Sequence, residues 1–147
     1  MQTFLPLPSF ESSAACLDYR RLGKQRVEAK QLLIAIGVPV GEHEARPGSS
    51  WGNHPAARMW RGWEPALAAY GAAVCREWRS RGYKDSLLDQ FLAIADDGRR
   101  PDWLGNNAFH ASHRSNLLRK LPEHYERLGW SESPDLPYVW PEGHPNG

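Results

Sequence analysis

Three groups of residues in this chain have types and spacings that could do chemistry. In the first, Arg20-Arg21-Leu22-Gly23-Lys24-Gln25-Arg26-Val27-Glu28, four cations lie within seven residues and a carboxylate follows two residues later. On a continuous helix Arg21, Gln25 and Glu28 share one face, at i, i+4 and i+7, and Lys24 and Glu28 also stand four apart. Such a cluster can hold phosphates or depress a lysine pKa, and Gln25 and Glu28 are placed to orient what it holds. The plainer alternative is a solvated helix face with one salt bridge.

The second group is Trp51-Gly52-Asn53-His54-Pro55, leading into Met59-Trp60. Asn53 before Pro55 reads as a helix cap, and the free N–H groups of a helix start favour an anion, with His54 beside it. An ordinary cap with a packed tryptophan is the alternative. The third is Phe109-His110-Ala111-Ser112-His113-Arg114-Ser115-Asn116, where His110 and His113 stand i, i+3 and can face one pocket. His113, Arg114, Ser112 and Asn116 all offer hydrogen bonds. The group could bind phosphate, polarise a sugar or base, or, with Glu28 or His54 joining in space, ligate a metal. Anion binding ranks above metal here, because the metal reading needs ligands that the segment lacks. A polar helix start with a few caps is the third possibility. Trp51, Trp60, Trp63, Trp103, Phe109 and Tyr125 flank these groups. Rings beside cations are what unstacked bases require, although a stripe such as Trp63, Tyr70 and Trp78 is first of all packing.

Helices must position all of this. After an extended arm, 1–10, with Pro6 and Pro8, a helix capped at Ser12 or Ser13 runs through Ala14, Leu17 and Leu22, with Gly23 as an interruption or kink. Lys24 to Ile36 continues helical and stops at Gly37. Val38 to Gly52, rich in Gly, Pro and Ser, is a loop long enough to be functional or mobile. Ala56 to Arg81 repeats apolar residues at spacings of three and four; Gly62 and Pro65 inside it predict a kink or two helices in series. Leu87–Ala95 and Phe109–Lys120 are further helices, and a shorter one follows Pro122 through Tyr125 and Leu128. The tail from Ser131, with Pro134, Pro137, Pro141 and Pro145, cannot be helical and reads as an extended strap anchored by Tyr138 and Trp140. No segment reads as a strand. The expectation is an all-α fold: a compact single-domain helical bundle over 1–147, with an N-terminal arm (1–10) and a Pro-rich C-terminal strap (131–147).

With 147 residues, 41% hydrophobic and 24% charged, the composition is that of a globular protein. No apolar run reaches the roughly 20 residues of a membrane span, and Met1 to Phe10 does not read as a secretory signal. The expected location is cytoplasmic, where Cys16 and Cys75 read as buried thiols rather than a disulfide. A net charge of +1 excludes a polybasic coat but not a local basic site.

Taken together, the segments resemble the pyrimidine-dimer DNA glycosylase (endonuclease V-like) family. The residues that carry the resemblance are Leu17-Asp18-Tyr19-Arg20-Arg21-Leu22 with Arg26, then His54 onward to Cys75-Arg76-Glu77-Trp78-Arg79-Ser80-Arg81-Gly82-Tyr83, and His110-Ala111-Ser112 through Tyr125. The chain is also similar to a group of bacterial proteins that open on the same Met1-Gln2-Thr3-Phe4-Leu5-Pro6 run. The resemblance implies a helical DNA-repair enzyme without a cofactor, acting on DNA with a damaged or modified base. In that family an N-terminal α-amine attacks the sugar C1′, a Schiff base forms as the base leaves, an acidic residue assists β-elimination, and arginines of the first helix hold phosphates. An α-amine suits the task, because its ordinary pKa of about 8 leaves a neutral fraction at neutral pH. Gln2 is large enough to keep Met1 in place, so the amine would be that of Met1. Where the family carries its carboxylate, just after the Tyr-Arg pair, this chain has Arg21; Glu28 and Asp18 are the nearest acids.

The resulting expectation is a base-excision glycosylase with AP-lyase activity. Glu28 is its acid/base and Met1 or Lys24 its amine. Arg20, Arg21 and Arg26 bind phosphate, and Gln25, His54, His110, His113, Arg114 and Asn116 complete the substrate site, with no metal among the assignments. Two alternatives stand beside it: an enzyme of the same fold acting on a nucleotide or other small anion, and a non-catalytic nucleic-acid-binding domain.

Overall fold

Helix starts and stops in the computed structural model, which describes residues 1–47 and 50–142, follow the local chemistry of the chain. Helix α1, Phe10–Cys16, begins at Ser9, whose side chain accepts the Ser12 N–H, so the cap precedes both Ser12 and Ser13. Leu17 turns extended and Asp18 opens α2, Tyr19–Ile36, by accepting the Arg21 N–H. The single helix expected through Leu22 is therefore two. Gly23 interrupts nothing. A Cβ there would stand 2.9 Å from the Trp78 ring, so glycine lets that ring lie against α2. Helix α2 ends at Gly37.

The loop that follows makes one isolated bridge, Val40 with His43, and a 3-10 turn at Ser50–Asn53. Helix α3, Pro55–Arg58, is capped by His54 rather than by Asn53: the imidazole Nδ1 accepts the Ala56 N–H at 3.0 Å. The chain then turns and re-enters α4, Glu64–Ser80, so the long apolar pattern is two helices in series. Helix α4 buries Ala66, Leu67, Ala68 and every residue from Tyr70 to Cys75. A helix apolar on so many sides belongs in the middle, and α4 packs against α1, α2 and α5, Leu88–Leu92. Gly71 admits Phe91 of α5, whose ring would be 2.7 Å from an added Cβ. Helix α6, Asn107–Lys120, is capped by the Asn106 side chain, and α7, Pro122–Tyr125, closes the series with a 3-10 turn at Glu126–Leu128. The described residues contain no strand beyond that one bridge, and the molecule is all-α. Phe10, Trp60, Tyr70, Trp103 and Phe109 form an aromatic centre, with Trp60 edge-on to Trp103 at 5.0 Å.

The N-terminal arm is buried without being part of any regular element. Thr3 and Leu5 have no exposed surface, and Gln2 and Phe4 have 6% and 7%. Buried backbone groups need partners, and here side chains supply them. Gln25 accepts the Phe4 N–H (2.9 Å) and donates to the Gln2 carbonyl (2.8 Å). The Tyr70 hydroxyl donates to the Phe4 carbonyl (2.9 Å). His113 Nδ1 accepts the Leu5 N–H (2.9 Å), and His110 Nδ1 donates to the Leu5 carbonyl (2.7 Å). Trp60 reaches the Thr3 hydroxyl (2.9 Å).

The C-terminal strap is held in the same way, from α6. Ser115 accepts the Leu136 N–H, Asn116 donates to the Leu136 carbonyl, and Ser112 accepts the Val139 N–H. Residues 143–147 of the expected strap, and 48 and 49 of the expected loop, lie outside the described residues.

Candidate active site

Where the arm crosses α2, a cleft of about 410 Å³ opens to the surface. Met1, Gln2 and Phe4 of the arm form one wall and Arg20, Arg21, Lys24, Gln25 and Glu28 of α2 the other, with Lys120 of α6 and Tyr138 of the strap completing it. The helical spacing of Arg21, Gln25 and Glu28 puts them on this one face.

Glu28 is nearly buried, with 8% of its surface exposed. Its Oε2 accepts from the Gln25 amide at 2.9 Å and more distantly, at 3.5 Å, from the Gln2 backbone N–H. The exposed ammonium of Lys24 stands 3.8 Å from Oε1. Gln25 is fully committed: besides its bonds to the arm and to Glu28, its Oε1 lies 2.7 Å from the Tyr70 hydroxyl, whose single proton is shared between this oxygen and the Phe4 carbonyl. One amide thereby fixes both the arm and the carboxylate that faces it. The Gln2 side chain uses its Oε1 on the Thr3 N–H, and its Nε2 is buried without a hydrogen-bond partner.

Arg21 is aimed by Asp18, 3.2 Å away. Tyr125 in turn holds Asp18, its hydroxyl donating to the carboxylate at 2.5 Å and accepting the Asp18 N–H at 3.1 Å. Burial pushes the Asp18 pKa up, but Tyr125 and Arg21 outweigh it and the net shift is downward. This acid is a charged strut beneath Arg21.

His54 lies outside the cleft walls but within electrostatic reach of the chain's N-terminal amine. Burial first, then the positive N-terminus and Arg58, lower its pKa. Its ring contacts Trp51 and, edge-on, Trp140.

The remaining sequence candidates go elsewhere. Arg26 points away to Asp85 (2.6 Å) and lies over the Trp78 ring; Asp85 is buried and needs that cation. His110 bridges the Leu5 carbonyl and, through Nε2, the Gly105 N–H (2.9 Å). His113 is enclosed by Phe4, Phe109 and Tyr138, and burial, then His110, push its pKa down to about 3. Arg114 pairs with Glu132 and donates to the Pro6 carbonyl. Asn116 is taken up by Ser112, Leu136 and Arg119. These side chains fasten the arm and strap onto α6; none of them lines the cleft. The anion site expected at the start of α3 is a single capped turn whose first N–H groups are partly taken by His54. Among the described residues no group of three or more His, Cys, Asp or Glu is placed to hold a metal ion. Of the flanking rings, Trp60, Trp103, Phe109 and Tyr125 are core, whereas Trp51 is about half exposed.

Four cleft residues, Gln2, Phe4, Lys120 and Tyr138, were not among the sequence candidates. The first two come in with the buried arm; Lys120 and Tyr138 come from elements far along the chain, and only the packing of α6 and the strap against α2 brings them in.

Residues 1–91 match the pyrimidine dimer DNA glycosylase family. The chain belongs to that family. No curated protein and no solved structure matches it. The span matched to the family contains the arm, α2 and every cleft residue except Lys120 and Tyr138. Among the described residues, no helix is long and apolar enough to cross a membrane.

Proposed function

We propose that the cleft is the active site of a DNA base-excision enzyme, a glycosylase with an associated AP-lyase step. The observation that carries this reading is the meeting of Met1, the nearly buried Glu28 and the cations Arg20, Arg21 and Lys24 in one cleft. A nucleotide extruded from the duplex enters with its phosphates against the cations. The Met1 α-amine adds its electron pair to C1′ of the sugar, the bond from C1′ to the base breaks, and the base leaves with a proton. The sugar ring opens to a Schiff base. Loss of a proton from C2′ then expels the 3′ phosphate, and water releases the amine from the product. Glu28 serves as the acid/base that moves these protons. The fixed contact between Gln25 and its carboxylate, together with Lys24, keeps it beside the arm. Arg20 and Arg21 hold the flanking phosphates. Being outside the cleft, Arg26, His110, His113, Arg114 and Asn116 contribute by holding α2, the arm and the strap in place.

Borohydride trapping tests the mechanism directly. The protein is mixed with duplex DNA carrying an abasic site or a thymine dimer, reduced, and examined for a covalent adduct. The expected result is an adduct that disappears when the N-terminus is blocked. An adduct lost only in Lys24→Ala moves the nucleophile to α2. No adduct on either DNA overturns the lyase step. If the protein then also releases no base from the damaged duplex while binding DNA in a salt-dependent way, the molecule is a binding domain.

A further inference from the structure

Gln2 stands next to the proposed nucleophile, and its side chain is only half used. The residue lines the cleft and is 6% exposed. Its backbone is pinned on both sides: the carbonyl accepts from Gln25 at 2.8 Å, and the N–H faces Glu28 at 3.5 Å. The side-chain oxygen accepts the Thr3 N–H at 2.9 Å. That bond decides which way round the amide lies, because only its oxygen can accept. The nitrogen, Nε2, is then a donor of fixed position, buried and without a hydrogen-bond partner among the described residues. Buried polar groups are nearly always paired, so an orphan at a site calls for a partner that the chain does not supply. His113 Nε2 is a second such atom, but it lies among the rings of Phe4, Phe109 and Tyr138 and outside the cleft lining.

The chemistry of the orphan differs from that of its neighbours. Arg20, Arg21, Lys24 and Lys120 are cations and serve phosphates. A neutral amide N–H suits a neutral carbonyl. In a pyrimidine nucleotide, N1 is bonded to C1′ and the C2 carbonyl adjoins N1. Its oxygen, O2, is therefore the base acceptor nearest the atom that the Met1 amine attacks. A purine has no carbonyl beside its glycosidic nitrogen. When the bond from C1′ breaks, its electron pair passes to N1 and is shared with O2, so a fixed donor at O2 meets charge that builds in the transition state.

We propose that Gln2 receives the base: its Nε2 donates to O2 of a pyrimidine as Met1 engages C1′, and stabilises the departing base until Glu28 supplies its proton. The inference rests on the glycosylase reading of the cleft and deepens it, giving the base a contact and a class. The donor is closed to bulk solvent in the free protein, and it meets its acceptor when the substrate draws Met1, its neighbour at the tip of the arm, against the sugar.

The test compares wild type with Gln2→Met on two DNAs. Methionine at this position is as large as glutamine and keeps Met1 in place, which mass spectrometry checks. On a thymine-dimer duplex, single-turnover cleavage of the glycosyl bond falls by about 10²–10³-fold, the usual effect of losing one such donor. On a duplex that already carries an abasic site there is no base to receive, and borohydride-trapped adduct matches wild type. Equal glycosyl cleavage by the two proteins overturns the proposal. A fall on both DNAs also overturns it, since Gln2 would then only hold the arm. Wild type that gives adduct on the abasic duplex but leaves the dimer intact overturns the base contact and leaves the lyase reading standing; wild type that reacts with neither overturns both. Should Gln2→Met fail to fold, the side-chain amide protons of Gln2 are followed by NMR in Glu28→Gln, which spares the substrate. They move downfield on adding the dimer duplex and not on adding a duplex with an abasic-site analogue. No shift, or the same shift with both, overturns the proposal.

Discussion

At the scale of single residues, the two carboxylates nearest the place of the family's acid have different surroundings, and proximity in sequence alone bears out neither of them. Asp18 is locked by Tyr125 and Arg21 and is held charged. Glu28 has one close neutral donor, Gln25, and one loose cation, Lys24 at 3.8 Å. A strongly paired acid is held charged, whereas Glu28 lines the cleft beside Met1 with one close neutral donor and is open to a substrate there. Glu28→Gln tests the distinction. The amide oxygen of the variant can still accept from Gln25, and what it loses is a long pair with an exposed lysine, worth about 0–1 kcal/mol. Thermal stability therefore stays near wild type and DNA binding persists, while single-turnover base release and strand cleavage fall by about 10²–10⁴-fold. Turnover within a few-fold of wild type would take the acid/base role away from Glu28.

At the scale of elements, the molecule solves one problem twice: a segment with no regular structure is buried and must find partners for its backbone. The arm draws on α2, α4 and α6, and the strap on α6. This is why the polar segment from His110 to Asn116 looks like a binding site in sequence. A dense set of hydrogen-bonding side chains at a helix start signals a ligand, and here the ligand is the chain itself. Nothing local in the segment distinguishes Leu5 from a phosphate as the partner of His110 and His113. The periodic signals, by contrast, are intrinsic to each helix. The shared face of Arg21, Gln25 and Glu28, the stop at Gly37, and the two helices in series around Gly62 could be read without tertiary information. The close approach of Trp78 that Gly23 permits depends on a neighbour from α4 and could not; the caps at Ser9 and His54 are local bonds to the Ser12 and Ala56 N–H groups, made by residues adjacent to stronger-looking cap candidates. The arrangement also makes the arm sensitive to acid. His113 accepts the Leu5 N–H only when neutral, and its pKa is pushed down to about 3 in the fold, against about 6.5 in an unfolded chain. Above pH 6.5 both states are neutral and the contribution is complete. As pH falls toward 3 the unfolded chain takes up a proton that the folded one refuses, and stability declines. Denaturant midpoints of wild type should fall between about pH 6.5 and pH 4. His113→Gln is less stable at pH 7, but its midpoint should change less across that interval. Parallel curves for the two proteins would show that this histidine does not govern acid sensitivity.

At the scale of the whole molecule, a net charge of +1 conceals a strongly uneven distribution. Arg20, Arg21 and Lys24 of α2 and Lys120 at the end of α6 gather on one cleft, and a local cluster, not the total, is what attracts phosphate. The fold also fixes the chain's own beginning: Gln2 to Leu5 are tied to α2, α4 and α6 by Gln25, Tyr70, His110 and His113, and to the turn before α4 by Trp60, leaving Met1 at the cleft. A terminus held this firmly cannot slide to compensate for added length. One glycine placed before Met1 would carry the amine about 3.5 Å further on, beyond the distance over which a nucleophile and C1′ are brought together. The tied residues would remain where they are, so thermal stability and affinity for an abasic-site duplex should match wild type. Borohydride-trapped adduct should fall by at least about 100-fold, since a misplacement of about 1 Å already costs that much. If Lys24 were the nucleophile, its position on α2 would be indifferent to the added residue and the yield of adduct would not change. Loss of adduct together with loss of stability would mean instead that the addition had dislodged the arm. The melting curve and the adduct yield, measured on the same sample, therefore separate a displaced amine from a displaced arm.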